Sequence, residues 1–439
     1  MTDSTTRFSK VPVVSVKTLS VTVIGGPDRG LVRETEQELL TVGTAAGNDL
    51  RLTDDTVSRF HLELVRGALG IELRDLKSSN GTWFGPARIE RGIVPTGAEL
   101  ELGRSRLRIA EGKEGTVELH AEAELDDIKG ESGAMRRLMS QVTTAARAAV
   151  PVLVIGESGT GKELVARALH EHGERASGPF VTFDCSATVP SLIASELFGH
   201  EKGAFTGADH RHLGAFERAH GGTLFLDEIG ELPAALQPQL LGALERKRIR
   251  RVGGQVEIPV DVRVVSATNR DLRSEVNAGT FRLDLYYRIA VVLLKVPALR
   301  DRIDDLPVLI AHFLRECGHS GSVETFLSAN ELETLSAYRW PGNVRELRNW
   351  VEATLAMGES PELREHDPPK TDAAEVAGGL YGMSYKDARR TVLDAFEARF
   401  LKQLLELTAG NVAAAARRAQ MDRTYLIKLL QRHGLARGS

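Results

Sequence analysis

Over residues 14–109 apolar and polar positions alternate in short runs, HLELVR, GIELRDL, AELELG and RLRI among them, separated by Gly, Asp, Asn, Ser and Pro. Period-two alternation with turn residues at short intervals predicts an all-β sandwich. The next stretch, residues 111–127 (EGKEGTVELHAEAELDD), is acidic and sparse in apolar residues, the composition of a solvated linker. Beyond it the period changes. Apolar runs PVLVIG, FVTFDC, TLFLDEI and VRVVSATN alternate with the helical patterns KELVARALHEH, PSLIASELFG, LPAALQPQLLGALE and DLRSEVNAG. That order predicts an α/β domain with a mostly parallel sheet buried on both faces. After Pro297 the strand patterns stop, and three helical patterns run to Met357, the last placing Trp350, Val351 and Leu355 on one face. These form a small helical lid. Residues 358–383, with Pro361, Pro368 and Pro369 and no periodicity, read as a second linker, and an all-α domain starts at Ser384. The expected division is a sandwich over 1–112, a linker over 113–124, an α/β core over 125–297, a lid over 298–357, a linker over 358–383 and a helical domain over 384–439.

Composition narrows the function classes. The chain has 439 residues, room for about three domains at roughly 150 residues each. The longest apolar runs, 151–155 and 289–294, fall far short of the roughly 18 residues that span a bilayer, and the N-terminus shows no signal-peptide core. A cytoplasmic protein without membrane contact is expected. Cys185 and Cys317 are too few for a disulfide framework or a zinc site. The net charge of −4 conceals an asymmetry: residues 384–439 hold 11 Lys and Arg against 5 Asp and Glu, so they carry +6 and the remainder −10. The tail is suited to an anionic partner.

Candidate chemistry concentrates in the α/β region. GESGTGKE (Gly156, Glu157, Ser158, Gly159, Thr160, Gly161, Lys162, Glu163) follows an apolar strand and opens a helix, the context a phosphate-binding P-loop needs. Its glycines let backbone N–H groups face the phosphates of ATP, and Lys162 reaches the terminal ones. Glu163 stands where a Ser or Thr ligand to Mg²⁺ is usual, so it receives no metal role. TLFLDE ends a strand in Asp227, the expected Mg²⁺ partner, and Glu228, which orients or activates the attacking water. Asn269 ends the next strand, where its amide can hold a water or the γ-phosphate. Arg282 and Arg288 lie six residues apart, and Arg345 follows a Pro-Gly-Asn turn. Cations supplied across a subunit boundary can stabilise transition-state charge.

In this order GESGTGKE, SELFGHEKGAFTGA, GGTLFLDEI, FRLDLYYRI and WPGNVREL closely resemble the central domain of bacterial enhancer-binding proteins, the AAA+ activators of sigma-54 RNA polymerase. The resemblance implies a ring, expected to be a hexamer. It assigns Asn269 as sensor I, Arg282 and Arg288 as fingers acting on a neighbour's nucleotide, and Arg345 as sensor II. The loop Gly203, Ala204, Phe205, Thr206, Gly207 and Ala208 becomes the element that touches the sigma factor. Where the family commonly has Asn paired with the Walker B glutamate, this chain has Asp184, expected to touch Glu228 only through a shared proton or cation.

The tail (GNVAAAARRAQMDRTYLIKLLQRHGL) resembles the Fis-type helix-turn-helix of the same family. Asp422 caps a helix with Leu426 and Leu430 inward, leaving Arg423, Thr424, Tyr425 and Lys428 for the major groove of upstream enhancer DNA. A helix over 384–407 is expected to pair the domain into a dimer. The N-terminal segment resembles a forkhead-associated (FHA) domain through Val42-Gly43, TVSRFH and DLKSSNGT. That likeness implies a phosphothreonine-containing protein or its kinase as partner, with Ser58 and Arg59 on the phosphate and Ser79 and Asn80 in the recognition loop. His61 is scaffold. Thr44 stands where the family has Arg.

The expected function is ATP-driven activation of sigma-54 RNA polymerase, opening the closed promoter complex under phosphothreonine-dependent control. The alternatives are an AAA+ remodeller of another target, or a DNA- and phosphopeptide-binding scaffold with a vestigial ATPase.

Overall fold

The computed structural model describes residues 13–35, 39–67, 70–186, 190–361 and 363, and, toward the C-terminus, 401, 408, 412, 415–416, 421 and 423–432. The chain forms two compact units, Met1–Leu363 and Arg364–Ser439.

The first unit begins with a β-sandwich. Its strands are β1 (Val13–Gly25), β2 (Val32–Thr35), β3 (Leu39–Gly43), β4 (Leu50–Arg51), β5 (Leu62–Gly67), β6 (Gly70–Asp75), β7 (Thr82–Phe84), β8 (Ala87–Ile89), β9 (Arg91–Val94), β10 (Glu99–Leu102) and β11 (Ser105–Glu118). One sheet has the order β2-β1-β11-β10-β7-β8 and the other β4-β3-β5-β6-β9. The alternation read in the sequence is the inside-outside alternation of these strands: in β10 Leu100 and Leu102 are buried while Glu99 and Glu101 face solvent. The stretch 113–118, expected to be linker, instead continues β11, which pairs antiparallel with the start of β1 from Val13↔Glu118 to Lys17↔Glu114. Composition does not prevent this, because ladder bonds are made by main-chain groups.

A hairpin, β12 (Glu124–Leu125) and β13 (Ile128–Lys129), and α1 (Gly133–Ala146) lead into the α/β core. The strands β14 (Val152–Ile155), β15 (Phe180–Asp184), β16 (Thr223–Asp227), β19 (Arg263–Thr268) and β20 (Val292–Lys295) form one parallel sheet in the order β15-β16-β19-β14-β20; a small hairpin, β17 (Arg248–Ile249) and β18 (Ile258–Pro259), stands apart from it. Helices α1 and α2 (Lys162–Glu171) cover one face, and α3 (Pro190–Phe198), α4 (Ala215–Arg218), α5 (Gln237–Arg246), α6 (Leu272–Ala278) and α7 (Leu283–Ile289) supply the other cluster. Because the strands are parallel, the C-terminal ends of β14, β16 and β19 lie on one edge, where ligands of open α/β sheets bind. Every residue of β19 is buried, including Arg263, whose guanidinium donates to the carbonyls of Ala145, Ala146 and Leu169 at the ends of α1 and α2.

The lid consists of α8 (Leu306–Glu316), α9 (Val323–Phe326), α10 (Ala329–Ala337) and α11 (Asn343–Met357). Ser328 and Glu331 cap α10 reciprocally, and Trp340, Leu347, Trp350 and Val351 close the lid core. In the second unit α12 (Arg423–Arg432) buries Leu426, Leu429 and Leu430 with Leu401, Ala415 and Ala416, the inward face expected of Leu426 and Leu430. Of the expected helix over 384–407 only Leu401 is described, and the Asp422 cap and the side chains of Arg423, Thr424 and Tyr425 lie outside the described residues.

Candidate functional site

The P-loop leaves β14 and enters α2. Gly159 (φ +76°) and Gly161 (φ +100°) adopt left-handed backbone that other residues resist, which turns successive amides inward as an anion nest requires. Lys162 is buried, with Nζ donating to the carbonyls of Gly156 (3.1 Å) and Glu157 (3.3 Å) and lying 3.4 Å from Glu228 Oε1. Thr160 Oγ1 donates to the Glu157 carbonyl at 2.8 Å. Glu163 is exposed and pairs with Arg167 on its own helix.

The lid closes directly on this loop. Arg345 donates its backbone N–H to the Gly159 carbonyl (3.2 Å) and its guanidinium to Ser158 Oγ (3.0 Å). A Cβ at Gly159 would come within 2.3 Å of the Gly342 carbonyl, so no other residue fits. Asn343, buried and at φ +53°, accepts from Leu299 N–H at 2.8 Å and donates to Glu157 Oε2 (3.2 Å) and the Ser158 carbonyl (3.1 Å). Arg300 binds the Glu157 carboxylate with both terminal nitrogens and, by that bond first, holds it below the usual carboxylate range. Beside the loop an apolar cleft is lined by Ile128, Val165, Leu309 and Phe313, with Arg302 at its wall. Burial pushes the Arg302 guanidinium down to about 10; one terminal nitrogen donates to the Thr160 carbonyl while Nε is without a partner among the described residues.

Asp227 closes β16, and Glu228 follows at φ +48°, a strained conformation for a non-glycine residue. Glu228 Oε2 accepts the backbone N–H of Asn269 at 3.1 Å, so the ends of β16 and β19 are joined through the carboxylate. Asn269 itself is exposed. Burial raises the Asp227 carboxyl above its ordinary value, with the charges of Glu228 and Asp184 adding to the rise and Lys162 opposing it. Asp184 lies beside Asp227 in the strand register, but its carboxylate accepts from Ser186 N (2.8 Å) and Ser186 Oγ (2.7 Å). The Asp184 carboxylate is thus taken up by a local turn, in which a short side chain bonds its own backbone two residues on; contact with Glu228 was expected only through a shared proton or cation. A divalent ion fits this arrangement. Asp227 is half-buried beside the P-loop and its carboxyl is raised by burial and by neighbouring carboxylates, an environment a cation would relieve, with nucleotide oxygens and water as its remaining ligands.

Arg282 and Arg288 sit at the two ends of α7, both exposed. Arg282 pairs with Asp284 (2.7 Å), and Arg288 donates to the Leu244 carbonyl at the end of α5 (2.9 Å). Within one chain neither is bonded to the P-loop.

The segment Gly203, Ala204, Phe205, Thr206, Gly207 and Ala208 forms a tight hairpin closed by Gly203 N–H to the Ala208 carbonyl (2.8 Å). Thr206 is exposed, and Phe205, 38% exposed, lies edge-on to the His200 ring rather than in the core. Two supports were not legible in the sequence. Arg251 spans Glu217 (2.5 Å) and Glu201 (2.6 Å), and Gly253 packs so closely on Ala204 that a Cβ there would stand 2.8 Å from the alanine methyl. Both lie some 45 residues from the hairpin in sequence, and only the fold joins them.

On the sandwich, Ser58 Oγ accepts from Ser79 N–H (3.0 Å), and Asn80 donates to the Thr56 carbonyl (2.7 Å). Arg59, Ser79 and Asn80 are exposed and Ser58 half-buried. His61 is fully buried, taking the Ser58 N–H on Nδ1 and facing the Gly81 carbonyl with Nε2; burial lowers its pKa, consistent with scaffold. Beside Thr44 stands an arginine the sequence reading passed over: Arg51, the strand partner of Gly43, donates Nε to the Thr44 carbonyl at 3.1 Å. In the second unit Lys428 of α12 is exposed.

Fold and site together define a P-loop ATPase of the AAA+ class. Residues 128–295 match the family model described as the sigma-54 interaction domain, residues 300–377 that of the AAA+ ATPase lid domain, and residues 22–113 that of the cytoplasmic domain of an inner membrane component of the T3SS. The response regulator protein PilR of Pseudomonas aeruginosa is 44% identical over 322 residues, which cover 73% of this chain and 71% of PilR. The transcriptional regulatory protein ZraR of Escherichia coli is 44% identical over 305 residues, 69% of this chain and 68% of ZraR. Among solved structures, NtrX from Brucella abortus in complex with ATP is similar at 33% identity and TM-score 0.49, covering 71% of this chain and 70% of NtrX. A domain solved in a study of phosphothreonine-dependent FHA interactions is 24% identical with TM-score 0.20, covering 22% of this chain and 98% of that domain. The chain belongs to the sigma-54-dependent family of transcriptional regulators. Among the described residues no helix is long and apolar enough to cross a membrane.

Proposed function

We propose that the chain hydrolyses ATP at the edge of its parallel sheet and uses the cycle to move the 203–208 hairpin against sigma-54 RNA polymerase, opening a promoter to which residues 384–439 tether it. One observation carries the coupling. β15 ends at Asp184, in register with Asp227, and Cys185 N–H bonds the Asp227 carbonyl at 3.0 Å; the next described element, the single helix α3, leads to Gly199 and the hairpin. A change at the carboxylates is thus one helix away from Phe205 and Thr206.

In this reading the P-loop amides and Lys162 bind the phosphates, Arg345 and Ser158 follow the lid, and Asp227 holds Mg²⁺, which supplies charge neutralisation on the phosphate oxygens. Glu228 orients the attacking water and takes its proton, and Asn269 N–H fixes the carboxylate that does so. Arg282 and Arg288, exposed and unconnected to their own P-loop, serve a neighbouring subunit in a ring. Lys428, with Arg423, Thr424 and Tyr425, faces DNA. Ser58, Arg59, Ser79 and Asn80, with Arg51 as the second guanidinium, recognise a phosphothreonine segment. Thr44, standing where the FHA family has Arg, favours one second reading, a sandwich that binds an unphosphorylated partner.

The test is open-complex formation on a promoter with sigma-54 polymerase and ATP, comparing the parent chain with Thr206→Ala and Glu228→Ala. Promoter melting by the parent alone, with Thr206→Ala still hydrolysing ATP, supports the coupling. Robust ATPase with no melting by any of them points to another remodelled target, and absent ATPase to the scaffold.

A further inference from the structure

The sandwich does not hang free of the ATPase core. Phe60 is fully buried, yet its side chain belongs to the core of the α/β domain, with Ala45 and Leu76, rather than to the sandwich interior. Its ring meets Tyr286 edge-on at 5.2 Å, and the Arg273 guanidinium lies 5.6 Å above it. Asn277 reads the backbone of two sandwich loops: it donates to the carbonyls of Phe60 (2.5 Å) and Leu76 (2.9 Å) and accepts the Phe60 N–H (3.3 Å). Arg273 reaches Glu63 at 2.8 Å, Arg74 reaches Asp271 at 2.8 Å, and Tyr287 accepts the Gly47 N–H at 3.2 Å. A Cβ at Gly47 would stand 2.8 Å from the Tyr287 ring. An interface of aromatic packing, an amide clamp and charge pairs is a built surface, and all of it on the ATPase side comes from α6, its cap and α7, the helix that carries Arg282 and Arg288 at its ends.

The two loops that Asn277 clamps are the ones that hold the candidate phosphate ligands. Ser58 and Arg59 directly precede Phe60, and Ser79 and Asn80 follow Leu76 by three and four residues. Arg59 belongs to both sides, because its guanidinium, though exposed, donates to the Val276 carbonyl of α6 at 3.5 Å. A phosphate carrying close to two negative charges outcompetes a single carbonyl at that distance for a guanidinium. Phe60 adjoins Arg59 and its backbone is clamped in both directions by Asn277, so a backbone shift at Arg59 would be felt at the dock, and packed interfaces yield by switching rather than by stretching.

We infer that phosphothreonine binding and docking of the sandwich on α6 and α7 are mutually exclusive uses of the 58–61 loop, so that a phosphothreonine segment releases the helix bearing Arg282 and Arg288. The inference rests on the phosphothreonine reading above and adds its route and sign. Linkage then requires that loosening the dock from the ATPase side tighten phosphopeptide binding by the same factor.

The experiment uses the full chain with a degenerate phosphothreonine peptide pool and the same pool unphosphorylated, read by amide hydrogen exchange at residues 272–289 and by pool affinity. Asn277→Ala and the milder Tyr287→Phe loosen the dock from the ATPase side, with thermal unfolding confirming that each is folded. The expected result is faster exchange on adding the phosphorylated pool only, and affinity about fivefold or more tighter in both variants. Binding of the pool with unchanged or slowed exchange, and with variant affinities equal to the parent's, overturns the coupling and leaves phosphothreonine recognition standing. Failure of the parent and both variants alike to bind the pool removes that recognition, and the inference with it.

Discussion

At the P-loop the candidate phosphate-directed groups come from eight consecutive residues and are largely backbone, with the one cationic side chain, Lys162, buried and already bonded to two carbonyls. At the sandwich edge they come from separate loops and are side chains, three of the four named ligands exposed. The first arrangement leaves little to organise when a nucleotide arrives, whereas the second has to recruit Arg59 from a carbonyl of another domain. A preorganised nest suits an ion bound in every turnover, and a shared, recruitable arginine suits an ion that carries a signal.

The contrast is sharpest for Lys162→Ala, which is expected to lower ATP turnover by about 100-fold or more in a phosphate-release assay, since it removes a preorganised cation from developing charge. Retention of a tenth of the activity would place the phosphates elsewhere. Glu228→Gln should cost about 100-fold or more in turnover while nucleotide affinity, measured by fluorescent-nucleotide titration, changes only a few-fold. Arg59→Ala at the sandwich is expected to weaken phosphothreonine-pool affinity about tenfold or more, the scale of a charge-assisted bond. Asn343→Gly keeps the positive φ but deletes the bonds to Leu299, Glu157 and Ser158; stability should fall by about 1–3 kcal/mol and the KM for ATP rise more than kcat falls. An unchanged KM would detach the lid from nucleotide binding. The smallest effect is one of pH. Burial raises the Asp54 carboxyl, but donors from Thr56, Ser105 and Arg104 outweigh it and bring the pKa to about 2. A carboxylate depressed in the folded state stabilises fully above its unfolded pKa near 4, and that contribution drains away as pH falls toward about 2. Asp54→Asn should flatten the acid limb of the sandwich's unfolding curve.

What was legible in the sequence was what is local in it. The strand–glycine–helix context of Lys162, the paired acids closing TLFLDE and the inward face of Leu426 and Leu430 depend on neighbours within a few residues. Arg251, Gly253 and Asn277 act across 34 to 217 residues and Arg51 across a sheet register, and no spacing rule reaches them. Asp184 differs again. Its Asp-Cys-Ser context is an ordinary signal for a side chain bonding the backbone two residues on, a local bond that costs less than pairing with a second carboxylate. The 113–118 segment was misread because solvated composition excludes a core, not a strand.

That ribbon sets how the sandwich answers a load. Val13 lies opposite Glu118 and Gly25 opposite Arg106, so the chain enters and leaves the domain side by side. Tension between those two ends would open the rungs singly, as a zipper parts, at low force. Tension drawn along the strands would strain all of them together. The β1–β11 ribbon is thus a seam that peels readily and resists shear, and the direction of a tug decides whether it lengthens or transmits the load.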